Sequence, residues 1–226
     1  MHFIQFEYLF VFLPVVVILY SIFRTSPFAN FIIMAASYYF YGSSGLLFLA
    51  PLIFTSVLDF VVAQRMQASD NETTRRILLI VSIVANLGLL FFFKYTTWLS
   101  TGANQLFAHF GLAFSIPVLA VTLPPGISFY TFQTMSYTIE IYRREMKARN
   151  TLVNYMAFVT FWPHLVAGPI LRASNLLAQL ERIRPVISAD VFRWAIMLIA
   201  WGLAKKLVLA DNFGQKIGRA SCRERV

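Results

Sequence analysis

The sequence predicts an all-α, polytopic transmembrane helical bundle, and three observations carry that prediction. First, 58% of the 226 residues are hydrophobic and 13% are charged, whereas soluble domains run at about 45–50% apolar and about 25% charged. A chain of this size cannot enclose that much apolar surface inside one aqueous globule. Second, the apolar residues, with 23 Phe among them, fall in runs close to the roughly 20 residues that a helix needs to cross a hydrocarbon core of about 30 Å. Third, the Lys and Arg residues behind the net charge of +9 cluster between those runs, as they do in membrane proteins, which argues against a nucleic-acid partner.

Each run predicts an element. Residues 8–23 form the first candidate span, with Pro14 inside it; proline is tolerated where neighbouring groups re-satisfy the freed carbonyl. No basic n-region or small-residue cleavage site accompanies it, so it is expected to be a retained anchor. Residues 30–41 and 46–63 follow, separated by Gly42-Ser43-Ser44-Gly45, a tight-turn signal. Residues 77–93 are the cleanest span, expected to close at Lys94, with Tyr95 and Trp98 as interfacial anchors. The stretch 101–110 is more polar and reads as a surface segment; 113–123 is apolar but short and meets Pro124-Pro125-Gly126.

Residues 127–142 predict a helix crowded with polar groups. Tyr130, Gln133, Tyr137 and Glu140 form one row at helical spacing. Such groups at membrane depth line a cavity or bond to other helices, and their number favours a hydrated funnel wall. Residues 155–171 are apolar but interrupted by Pro163 and Gly168-Pro169, and 191–210 form the last long run, carrying Arg193, Lys205 and Lys206.

Charge sets an expected orientation. The first seven residues hold Glu7 and no Lys or Arg; 65–76 holds three Arg, and 143–149 holds Arg143, Arg144, Lys147 and Arg149. The positive-inside rule places the N-terminus outside and both loops in the cytoplasm. Arg172, Arg182 and Arg184 then conflict with a full crossing by 155–171, and a re-entrant element there removes the conflict.

One cysteine, Cys222, leaves no internal disulfide and no CxxC metal site. Internal repeats are absent, as are P-loop, GxGxxG and HExxH motifs, and no metal is expected.

Two long stretches carry a family resemblance: LPPGISFYTFQTMSYTIEIYRRE at 123–145 and FVTFWPHLVAGPILR at 158–172. With LFVFLPVVVILY near the start and AKKLVLAD at 204–211, they resemble the membrane-bound O-acyltransferase (MBOAT) superfamily, in the branch of the bacterial alginate O-acetyltransferase membrane subunit. The match runs in order from about Phe3 to about Phe213. It implies a multi-pass enzyme of the bacterial cytoplasmic (inner) membrane, embedded in lipid. Such an enzyme takes an acyl group from a cytoplasmic thioester, acetyl-CoA or another, with no bound cofactor. It passes the group toward periplasmic polysaccharide-acetylation proteins acting on an exported polymer such as alginate.

The family's catalytic histidine is expected beyond Val226, because neither His2, His109 nor His164 occupies its position. Residues 1–217 therefore read as the N-terminal part of an MBOAT-like domain, and 218–226, polar and without apolar periodicity, as a non-native tail. Without that tail the charge is +9 − 3 + 1 = +7, which leaves the orientation argument standing.

The candidate tunnel or substrate-contacting residues are Tyr130, Gln133, Tyr137, Glu140, His164 and Arg172. His164 either lines an acyl tunnel or bonds a backbone carbonyl freed beside Pro163. Glu140 precedes Arg143 and Arg144 by three and four residues, which predicts an ion pair at the membrane edge. Arg172 either holds a donor phosphate or carboxylate or is a positive-inside anchor, and Lys205-Lys206 is open in the same way. Tyr38-Tyr39-Phe40-Tyr41 reads as interfacial belt or packing. A transporter or flippase is the alternative from another class, since broken helices and an intramembrane polar face also suit it.

Overall fold

The structure is a computed structural model that describes residues 5–26, 28–111, 116–117, 122–149, 151–165, 168, 172–181, 188–210 and 212–213. All regular secondary structure among the described residues is helical, without strands. The expected apolar segment at 113–123, Pro169, Arg182, Arg184, Cys222 and the tail at 218–226 lie largely or wholly outside them.

The first span starts as a π-helical turn, Glu7–Phe12, and continues as α1, Leu13–Phe23. The Leu13 amide donates to the Tyr8 carbonyl five residues back. That wider turn sits where Pro14 enters the helix, and a π turn relieves the clash a proline ring makes with the preceding turn. Helix α2 is Phe28–Gly42, and a short 3-10 turn at Leu46–Phe48 leads into α3, Leu49–Ala68.

Helix α4 corrects two expectations. It runs unbroken from Glu72 to His109, 38 residues, so Lys94 does not end it and 101–110 is not a separate surface segment. The apolar stretch from Ile77 to Phe93 alone is about 26 Å at 1.5 Å per residue, close to the hydrocarbon thickness of about 30 Å. Lys94 therefore ends the apolar stretch of α4 and not the helix. Asn71 caps its start, its side-chain oxygen accepting from the Thr73 and Thr74 amides at 2.9 and 3.4 Å.

Helix α5 is Ile127–Tyr142, as the sequence predicts. The broken segment resolves into α6, Leu152–Val159, and α7, Trp162–Leu165. At about 12 and 6 Å neither spans a bilayer alone. Helix α8 is Ala173–Glu181, and α9 is Ala189–Ala204, extended by a π turn at Lys205–Ala210.

Helices α3, α4 and α5 pack together as one unit. A second group, α1, α2, α6, α7 and α8, is held together by α1–α2, α2–α6, α2–α7 and α6–α8 contacts, and it packs beside the first through α3–α6 and α5–α8. Tyr8, Phe12, Phe40 and Trp162 form an aromatic knot in the second group. Phe40 and Tyr41 are core residues while Tyr39 is 65% exposed, so this aromatic cluster serves packing with one residue turned outward.

The exterior is far more apolar than that of a soluble protein, and a group of polar side chains is enclosed within an otherwise apolar core. Phe31, Phe54, Val57, Ile80, Val84 and Phe91 face outward, while Asp59, Ser82, Asn86, Gln133, Thr134 and Thr138 are fully enclosed. Among the described residues two helices, Leu46–Ala68 and Glu72–His109, are long and apolar enough to cross a membrane. An apolar exterior around hydrogen-bonded polar side chains is the arrangement that lipid favours.

Candidate functional site

The two stretches that carry the family resemblance pack onto each other. Gly126 opens α5 with φ +73°, and a Cβ there would stand 2.5 Å from the Leu165 carbonyl oxygen. Only glycine combines that left-handed backbone with so close an approach. The preceding Pro125 carbonyl accepts from the Tyr41 hydroxyl at 2.8 Å. One turn on, Phe129 meets the His164 ring edge to face, centroids 4.7 Å apart. Gly168 closes against that same ring, where a Cβ would lie 2.2 Å from His164 Cδ2. His164 is buried between them.

Along the same face of α5, Gln133 donates from Nε2 to the Phe158 carbonyl at 3.0 Å, and its Oε1 is enclosed without a hydrogen-bond partner among the described residues. Tyr137 packs on Tyr155, ring centroids 4.5 Å apart, and its hydroxyl accepts from the Arg149 amide at 2.9 Å. Tyr130 is fully buried beside Tyr41. Tyr130, Gln133 and Tyr137 are thus closed off by neighbouring helices, and the bonds of Gln133 and Tyr137 run to backbone groups.

Glu140 corrects the expected ion pair. Its carboxylate accepts from the Ala173 and Ser174 amides, each at 3.2 Å. Arg143 instead lies 3.7 Å from Glu145. The free amides of a helix N-terminus attract a carboxylate, and that attraction outcompetes a surface pair of small value. Arg172 directly precedes the capped turn and is exposed, so Glu140 fixes the backbone on which Arg172 stands.

The other face of α5 holds a cluster that the sequence reading missed. Asp59 on α3 accepts from Ser82 Oγ at 2.6 Å and from Asn86 Nδ2 at 2.7 Å. Thr138 Oγ1 lies 3.1 Å from Ser82 Oγ, and Thr134 Oγ1 lies 3.1 Å from Asn86 Oδ1. The signal was available: Asp59 is the lone acid in the apolar run 46–63, and an intramembrane carboxyl marks function or a helix contact.

At the end of the bundle that carries the basic loops, Arg75 joins three helices. Its guanidinium donates to the carbonyls of Met66, Ile141 and Tyr142 at 2.7, 3.0 and 2.8 Å. Gln64 donates to the Arg149 carbonyl and Gln67 accepts from the Ala148 amide. The loops at 65–76 and 143–149 therefore meet at one end, as the charge pattern requires.

An all-helical protein, apolar outside and hydrogen-bonded inside, is a membrane-associated helical bundle. Its sequence relatives narrow the class. The chain is 32% identical over 206 residues, 91% of its length, to a Pseudomonas aeruginosa protein named "Probable alginate O-acetylase AlgI". It is equally similar to the Azotobacter vinelandii protein of that name, and 28% identical to the "Peptidoglycan O-acetyltransferase" of Helicobacter pylori. It covers 39%, 40% and 44% of these proteins, so the chain spans about two-fifths of their length. No family model matches it, and no solved structure does. The resemblance carried by residues 123–145 and 158–172 holds: the chain is a relative of these O-acetyltransferases. None of the three is named a transporter, and nothing supports the transporter or flippase alternative.

Proposed function

We propose that this chain is part of a multi-pass O-acyltransferase of the bacterial cytoplasmic membrane, which passes acetyl groups toward an exported polysaccharide such as alginate. The observation that carries this reading is the 32% identity, sustained over 91% of the chain, to proteins named as alginate O-acetylases. The interlocked packing of residues 123–145 and 158–172 supports it, because these are the stretches in which the resemblance is most specific.

In chemical terms, a hydroxyl attacks a thioester carbonyl, the new ester forms, and the thiol leaves with the proton that the hydroxyl loses. A histidine base of the full-length protein would move that proton, a contribution of about 10²–10⁴ in rate. Within this chain, Arg172 at the capped start of α8 is the residue we assign to the anionic part of a cytoplasmic acyl thioester such as acetyl-CoA, since arginine matches phosphate geometry. His164 is assigned to the wall between donor and acceptor, and Gln133 and Tyr137, closed off by neighbouring helices, to the packing that holds that wall. The recipients are periplasmic polysaccharide-acetylation proteins, and the N-terminus faces the periplasm.

Deleting the gene from its host and measuring ester-linked acetate in the exported polysaccharide tests the reading. The acetate should disappear and return with the full-length gene. Unchanged ester content in the deletion strain would overturn it.

A further inference from the structure

We propose that Asp59, Ser82 and Thr138 form a binding site for one proton in the middle of the helical bundle, with Asp59 carrying that proton as a neutral acid. Asp59 is the eleventh residue of α3, about 15 Å from either helix end. It is fully buried, as are Ser82, Asn86, Thr134 and Thr138. The groups facing it are these four polar residues of α4 and α5 together with the Tyr155 phenol of α6. No Lys or Arg among the described residues forms an ion pair with it. An unpaired carboxylate is the costliest group to hold at that depth.

The hydrogen bonds accommodate both forms of the acid without moving a heavy atom. In the ionised form the Ser82 hydroxyl donates to Asp59 Oδ1, and Thr138 donates to Ser82 Oγ. In the neutral form the chain reverses. Asp59 donates through Oδ1 to Ser82 Oγ, Ser82 donates to Thr138 Oγ1, and Thr138 donates to the Met135 carbonyl 3.0 Å away. Asn86 serves either form, giving one Nδ2 hydrogen to Asp59 Oδ2 and the other to the Ser82 carbonyl. Hydroxyls suit this role because each is both donor and acceptor. The two states differ by one proton and by the direction of two hydroxyl hydrogens. Neutral Asp59 leaves no net charge in the core, and that decides which state the resting protein holds.

The test is infrared difference spectroscopy on the chain in nanodiscs at neutral pH, comparing wild type with Asp59→Asn. Wild type should show the C=O stretch of a protonated carboxyl, absent from the variant and shifted upward in Ser82→Ala, where the acid loses its acceptor. Thermal unfolding gives a second readout. The Asn amide reproduces a neutral acid's donor and acceptor, so Asp59→Asn should unfold near wild type while Asp59→Ala unfolds several degrees lower. A wild-type spectrum without the carboxyl band would overturn the proposal, and so would an Asp59→Asn variant as unstable as Asp59→Ala.

Discussion

The Glu140 carboxylate stands 3.2 Å from the Ala173 amide, so the end of α5 caps the start of α8 across 33 residues of chain. A second oxygen takes the Ser174 amide, and the far end of α8 is held where Asn30 donates to the Leu180 carbonyl at 3.3 Å. Glu140→Ala would leave one buried and one part-buried amide without acceptors. A lost cap costs about 0.5–2 kcal/mol, and the enclosed site places this one at the upper end. Glu140→Gln keeps one acceptor oxygen and should lose about half as much. Thermal unfolding in detergent orders the three proteins; equal midpoints would show that the cap contributes nothing.

Arg75 holds together the ends of α3 and α5 with three carbonyl contacts from one guanidinium. Lysine cannot span them, because its ammonium is a point charge on a flexible stem. Arg75→Lys should therefore destabilise by about 1.5–3 kcal/mol, the range for a hydrogen bond to a charged group. Trypsin should then cut the 143–149 loop faster than in wild type, since that loop leans on the clamped helix ends. An unchanged digestion rate would mean that other contacts secure the loop.

Because the 65–76 and 143–149 loops meet at one end of the bundle, they must label from the same side of the membrane. Ala148 is a poor reporter: it is 5% exposed and its amide is bonded to Gln67. Lys147 and Asp70 are exposed. In a background with Cys222→Ser, Lys147→Cys and Asp70→Cys should both resist impermeant thiol reagents in intact cells and react after lysis. Labelling of either in intact cells would reverse the orientation.

The polar row of α5 offers a sharper test of its role. Gln133 and Tyr137 hold the Phe158 carbonyl and the Arg149 amide. Gln133→Leu and Tyr137→Phe should each lower the amount of folded protein in membranes by about 1 kcal/mol worth of stability. If abundance stays at the wild-type level while acyl transfer by the full-length protein falls, the row serves the substrate and not the packing.

Periodicity made α5 legible to the residue, because its turn signal and its polar row coincide at Gly126 and Glu140. The end of α4 was not legible: a lysine after a long apolar run looks like a helix stop, and the Thr, Ser and Gly that follow are poor helix formers, yet the Thr96, Ser100 and Thr101 hydroxyls bond carbonyls of the preceding turn and the helix runs on. Glu140 was misread for a different reason. Spacing of three and four residues reports neighbours along one helix and is blind to the amides of a helix 33 residues away. Asp59 was visible as an anomaly in its run, but its partners Ser82 and Asn86 lie on α4, and Thr138, which bonds Ser82, lies on α5. No pattern within a single segment reveals which serine meets which acid.

The tightest point of the candidate site is Gly126, and it supports a prediction with little freedom. Its φ of +73° is disfavoured for any residue with a Cβ, by about 1–2 kcal/mol. Alanine there adds a second penalty, because its Cβ would sit 2.5 Å from the Leu165 carbonyl oxygen, well inside contact distance. That oxygen belongs to α7 backbone and cannot rotate away like a side chain. Relief requires α5 and α7 to separate, which also pulls Phe129 from His164 and strains the Tyr41 bond to Pro125. Overpacking of this kind adds about 1–3 kcal/mol, so Gly126→Ala should cost roughly 2–5 kcal/mol in all. Ser128→Ala, two residues along and free of both constraints, is the control. The expected result is a sharp loss of folded Gly126→Ala protein from membranes with Ser128→Ala at the wild-type level. If Gly126→Ala accumulates and melts like wild type, the close approach of α5 to α7 is not how these two stretches meet.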